Sequence, residues 1–155
     1  IRELASNGGL NGMVLGQAID CYFENKPLSI EDVRVLHINK TAKLIAASLK
    51  MGSIIVGRED LSERLYDFGI KLGLLFQIQD EILDVTQSSE AAGKLTNNDE
   101  AKNSFVTLLG LDEALKEADA LAETLTKELE SFDKNLRDGL SLLLIEYINR
   151  HKGSV

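Results

Sequence analysis

Apolar residues recur at helical spacing along most of the chain, and no stretch alternates apolar with polar as a half-buried strand would. The first clear unit runs from Leu10 to Phe23, after a turn at Asn7-Gly8-Gly9, and Asn25-Lys26-Pro27 breaks it. Ser29 is a suitable N-cap for the next unit, with Asp32 at the capping-box position. Val33, Leu36, Lys40, Leu44 and Ala47 then follow on one helical face, which predicts a helix to about Val56, ending near Gly57. Asp60 and Glu63 mark the start of a long helix from Leu61 to about Val85, which Gln87-Ser88-Ser89 is expected to end. Residues 90–103 read as a loop around Asn97-Asn98-Asp99, and the apolar run from Phe105 to Leu111 as buried. Leu111, Leu115, Ala118, Ala122, Leu125, Leu129 and Phe132 form the apolar stripe of an amphipathic helix, and a last helix covers about Asn135 to Arg150. The expected fold class is all-α, an antiparallel helical bundle.

Composition agrees with that reading. The 155 residues are 44% hydrophobic, enough for a sizeable core, with one Pro and no Trp. A net charge of −8 leaves nothing to neutralise a nucleic-acid backbone, so no nucleic-acid partner is expected. The same charge disfavours anionic substrates unless metal cations bridge them to acidic side chains. Cys21 is the only cysteine, which excludes an intrachain disulfide and points to a reducing, cytoplasmic compartment. No apolar run approaches the roughly 20 residues of a membrane span, so no stable membrane insertion is expected. The chain starts at Ile1 rather than Met, and its native N-terminus is expected upstream.

The chemistry concentrates in Phe76-Gln77-Ile78-Gln79-Asp80-Glu81-Ile82-Leu83-Asp84. On a helix, Gln77, Asp80, Glu81 and Asp84 share one stripe. Leu74, Leu75, Phe76, Ile78, Ile82 and Leu83 flank it, so the helix is expected to be largely buried. Buried like charges need a counter-charge or a raised pKa, and a divalent cation supplies the former. Hard oxygen ligands without His or Cys suit Mg²⁺. Glu59, Asp60 and Glu63 show similar acid spacing, but they sit at a helix start beside Arg58 and Arg64, where negative charge favours the helix dipole. That second set reads as structural. Lys40 lies on the preceding long helix, and Lys94 and Lys102 flank the end of the acidic one; lysine binds phosphate as a mobile point charge.

These segments resemble, in order and spacing, the motifs of the trans-isoprenyl diphosphate synthases of the farnesyl and geranylgeranyl type. Gly12-Met13-Val14-Leu15-Gly16-Gln17-Ala18-Ile19-Asp20 is similar to the family's Gly-Met…Gly-Gln…Asp segment. His37-Ile38-Asn39-Lys40-Thr41 is similar to its His-x-x-Lys-Thr segment, and Phe76 to Asp84 to its second aspartate-rich motif. Gly93-Lys94 and Lys102-Asn103-Ser104-Phe105 match the lysines that follow. The resemblance covers about residues 8–111 and implies a single domain of the isoprenoid synthase fold, of which residues 1–155 are the C-terminal portion. It implies that Asp80 binds Mg²⁺ directly, with Glu81 and Asp84 helping directly or through water. Lys40, Lys94 and Lys102 would hold an allylic diphosphate, Thr41 and Gln77 would stabilise the allylic cation, and Gln17 and Asp20 would orient the lysines.

Glu81 departs from the second Asp of the family motif, and the family's first aspartate-rich motif and its isopentenyl diphosphate-binding residues have no counterpart in the chain. The resemblance therefore implies half of a site for head-to-tail prenyl transfer, with farnesyl diphosphate as the expected product, and a homodimer in the complete protein. The competing readings are a noncatalytic helical subunit that modulates a synthase, and a plain helical interaction module. Lys40, Gln77 and Asp80 argue against the first, since a regulatory subunit need not keep them. The apolar flanks of the acidic stripe argue against the second.

Overall fold

The computed structural model describes residues 1–92 and 103–148, which are mostly helical with no strand among them. They divide into two compact units, residues 1–74 and residues 75 onward. In the first unit, α1 (Arg2–Gly8) packs on α4 (Lys43–Ile55), and α2 (Met13–Tyr22) packs on α3 (Ile30–His37) and on a π-helical turn, Ile38–Ala42, that joins α3 to α4. A 3₁₀ turn, Glu59–Leu61, leads into α5 (Ser62–Ala92), whose second half belongs to the other unit. That unit also holds α6 (Phe105–Leu109), α7 (Leu111–Leu129) and α8 (Lys134–Ile148), with α7 packed on both α6 and α8.

Local chemistry accounts for most boundaries. The Ser29 hydroxyl accepts the Asp32 N–H at 3.1 Å and donates to the Asp32 carboxylate at 2.8 Å, so the expected cap forms. Gly57, with φ +74, ends the α4 segment in the left-handed conformation that glycine tolerates. Gly110, at φ +83, separates α6 from α7. Asp60 does not cap the long helix. It accepts from Arg58 Nε at 3.0 Å and Nη2 at 3.1 Å, and this pairing holds its carboxyl below the usual range. Nor does Gln87-Ser88-Ser89 end α5, which continues to Ala92 because that stretch contains no Gly or Pro to stop it. The Asn7-Gly8-Gly9 turn begins later than expected, since Asn7 and Gly8 complete α1.

Small residues set the packing of the first unit. A Cβ added at Gly69 would strike the Cα of Ala46, and one at Gly73 would lie 2.5 Å from the Cα of Ala42. Moving four residues up α5 moves four residues down the facing segment, so these two elements run antiparallel and almost touch. Val33, Leu36, Leu61, Leu65, Phe68 and Leu72 fill the core around this seam. In the second unit, Leu75, Ile78 and Ile82 of α5 are buried, as are Phe105, Ala114, Ala118, Ala122, Leu125 and Leu129. The buried face of α7 is the expected stripe except that Ala114 is fully buried, while Leu111 and Leu115 are half-buried.

Candidate functional site

Lys40 and Thr41 lie in the π-helical turn, where the Lys43 N–H reaches back five residues to the carbonyl of Ile38. One extra residue per turn weakens a helix, and such turns recur at functional sites because they redirect side chains. Asn39 is buried here; its Nδ2 donates to the carbonyl of Val35 at 2.8 Å, and its Oδ1 accepts from Lys43 Nζ at 2.8 Å. Lys43 Nζ also donates to the carbonyl of Asn11, tying the 9–12 turn to the π turn. His37, just before the turn, is buried. These bonds brace the turn, with Lys40 and Thr41 half-buried at its edge.

Helix α2 aims the lysine. Gly16 lies directly on the backbone of the turn, and a Cβ there would collide with the Lys40 N and Cα. One turn along the same face, Asp20 Oδ2 accepts from Lys40 Nζ at 2.7 Å, with the two side chains 37% and 33% exposed. Gln17 is exposed, and its Nε2 donates to Cys21 Sγ at 3.5 Å. Sequence reasoning missed Asn39 and Lys43; their spacing of four on one helix was the available signal.

In the second unit, Gln77, Asp80 and Glu81 are half-buried on α5, and Asp84 is exposed one turn beyond Asp80. The apolar flanks Leu75, Ile78 and Ile82 are buried as expected. The Phe105 N–H donates to Glu81 Oε2 at 2.8 Å, so Glu81 reaches towards α6. Lys94 and Lys102 lie outside the described residues. Among the described residues, no group of three or more His, Cys, Asp or Glu side chains gathers to hold a metal ion. The protein donors fit Mg²⁺ in a narrower way than a closed cage. Asp80 and Asp84 offer hard carboxylate oxygens one turn apart, and Mg²⁺ commonly takes one or two carboxylates and completes its shell with water and substrate phosphate.

Residues 5–139 match the family model for polyprenyl synthetase. The chain belongs to the polyprenyl synthetase family. It is 40% identical over 157 residues to a farnesyl diphosphate synthase of Micrococcus luteus, covering 98% of this chain and 53% of that protein. It is 38% identical over 152 residues to a chloroplastic geranylgeranyl pyrophosphate synthase of Capsicum annuum, covering 96% of this chain and 41% of that one. Its fold superposes with a TM-score of 0.83 on a Helicobacter pylori geranyltransferase crystallised with magnesium and isoprenyl diphosphate, at 48% identity over 94% of this chain and 50% of that one. The chain thus spans about half the length of the relatives it matches. Membership of the polyprenyl synthetase family fits the all-α isoprenoid synthase fold seen here. No helix among the described residues is long and apolar enough to cross a membrane.

Proposed function

We propose that this chain is the C-terminal half of a Mg²⁺-dependent prenyltransferase. It would condense an allylic diphosphate, dimethylallyl or geranyl, with isopentenyl diphosphate head to tail, with farnesyl diphosphate as the favoured product. The observation that carries the reading is Lys40, held by Asp20 on a π-helical turn within a chain whose match to the polyprenyl synthetase model spans residues 5–139. A helix gives up regular hydrogen bonding there, and it gains a cation with a fixed direction.

In this reading Lys40 binds the allylic diphosphate and neutralises it as the carbon–oxygen bond ionises, assisted by Lys94 and Lys102. Asp80 and Asp84 would hold Mg²⁺, whose charge would offset that of the departing diphosphate. Thr41 and Gln77 would direct oxygen atoms at the allylic carbon and stabilise its developing positive charge. The alkene of isopentenyl diphosphate attacks that carbon, and loss of a proton restores an alkene. The protein's contribution is electrostatics, orientation and exclusion of water, which would otherwise quench the cation. We place the protein in the cytoplasm and expect the complete enzyme to be a homodimer.

The test is steady-state condensation by the complete enzyme across a Mg²⁺ titration. Asp80→Ala should slow turnover about a hundred- to a thousandfold, the loss of roughly 3–4 kcal/mol of transition-state electrostatics. Wild-type turnover with unchanged Mg²⁺ dependence would reduce the acidic stripe to a solvated face, and an absence of condensation by the complete unmutated enzyme would refute the function.

A further inference from the structure

Glu81 sits on α5 between Asp80 and Asp84, where spacing alone makes it a third carboxylate of the stripe. One of its oxygens is engaged elsewhere. Oε2 accepts the N–H of Phe105 at 2.8 Å, a bond that spans 24 positions of the chain, and Oε1 is the buried oxygen of the pair. Phe105 is the first residue of α6, so its N–H is one of the amides that a helix start cannot satisfy internally. Ser104 takes another, accepting the Thr107 N–H at 3.0 Å. Glu81 and Ser104 thus share the opening turn of α6, and the Phe105 ring inserts fully into the core beside them. The bond to Phe105 thus directs the Glu81 carboxylate at the start of α6.

We infer that Glu81 is a positioning residue that anchors α6 to α5, rather than a third metal ligand. The inference builds on the proposed function only in taking Asp80 and Asp84 as the metal-binding pair. It also explains the side-chain length. An Asp at this position would end about 1.5 Å short, stretching the 2.8 Å contact beyond hydrogen-bonding distance.

Anchor and ligand predict opposite rescue patterns. An anchor needs an acceptor at glutamate's reach, so Glu81→Gln retains it and Glu81→Asp loses it. A ligand needs charge, so Asp substitutes and Gln does not. Amide hydrogen exchange of the complete enzyme with and without Mg²⁺, read at the Phe105 amide, separates the two. Phe105 should exchange within about threefold of wild type in Glu81→Gln, and at least tenfold faster in Glu81→Asp and Glu81→Ala. The Leu125 amide inside α7 reports whether the fold survives, and the Gln and Asp variants decide the question should Ala not fold. Protection kept in Glu81→Asp but lost in Glu81→Gln, or unchanged in all three, overturns the anchor. This readout needs no turnover, so failure of the prenyl-transfer reading in the Asp80→Ala assay would leave it standing.

Discussion

At the scale of single residues, two glycines of the first unit behave oppositely, although both lie in helices. A methyl group at Gly16 would collide with the Lys40 backbone, while Gly52 in α4 has nothing within 4 Å of an added Cβ. Gly16→Ala must push two backbones apart and should cost about 1–3 kcal/mol. Gly52→Ala should stabilise by about 0.5–1 kcal/mol by restricting the unfolded chain. Urea denaturation of the two variants reads both signs, and equal shifts would mean that the close approach of α2 to the π turn is not real. The Lys40–Asp20 pair is more exposed, so Asp20→Asn should cost under about 1 kcal/mol of stability. If Lys40 holds the allylic diphosphate as proposed, the larger effect of Asp20→Asn should fall on substrate affinity, and KM for the allylic substrate should rise more than kcat falls. An unchanged KM would remove Asp20 from the positioning role.

At the scale of elements, a polar network joins three helices of the first unit. Tyr66 of α5 donates to Asn7 Oδ1 at 2.6 Å, and Asn7 Nδ2 donates to the carbonyl of Glu3 at 2.9 Å. Lys50 of α4 pairs with Glu63 at 2.8 Å and Glu3 at 3.3 Å, and lies 5.5 Å from the centre of the Tyr66 ring. The bond to Glu63 is the main cause that raises the Lys50 pKa, and burial raises that of Tyr66. Both groups hold their protons more tightly folded than unfolded. Their stabilisation is therefore complete below the unfolded pKa values, about 10 for tyrosine and 10.4 for lysine, and is lost as pH rises through the higher folded values. Thermal unfolding should show a falling Tm above about pH 10, and Tyr66→Phe should weaken that fall. A Tm flat from pH 8 to 11 would contradict the linkage. On α7 and α8 the burial pattern makes a similar contrast: Leu125 is 0% exposed and Leu142 is 69% exposed. Leu125→Ala should cost about 2–5 kcal/mol, and Leu142→Ala should stay within about 0.5 kcal/mol.

At the scale of the whole molecule, the chain covers 41% and 53% of the two relatives compared above, and in the proposed reading the rest of the site lies outside it. The 155-residue chain by itself should show no measurable condensation of an allylic diphosphate with isopentenyl diphosphate, because a shared electrostatic site is far from additive. Clear turnover by the purified chain would refute this. Leu4, Leu10, Met13, Val14, Leu15 and Tyr22 are exposed apolar side chains of α1, α2 and the turn between them. Exposed apolar surface favours association, so sedimentation should show the isolated chain self-associating as concentration rises.

Helices were legible because they depend on residues three and four apart. The Ser29 cap, the α7 stripe and the buried flanks of the acidic motif all follow from such local spacing. The motif order from Gly12 to Phe105 was equally legible and led to the polyprenyl synthetase family. What the spacing left open depends on groups distant in the chain. No local pattern shows that a lone Gly16 permits α2 to lie on the Lys40 backbone, or that Asn39 and Lys43 brace a π-helical turn. Asp60 has the right spacing for a cap but meets Arg58 instead, since a bidentate ion pair competes with a backbone amide. Glu81 is the sharpest case. Its place on the stripe is set by 3.6 residues per turn, but its hydrogen bond is set by where α6 starts, 24 residues away. Helical periodicity determines which face a side chain occupies; only tertiary packing determines what that face meets.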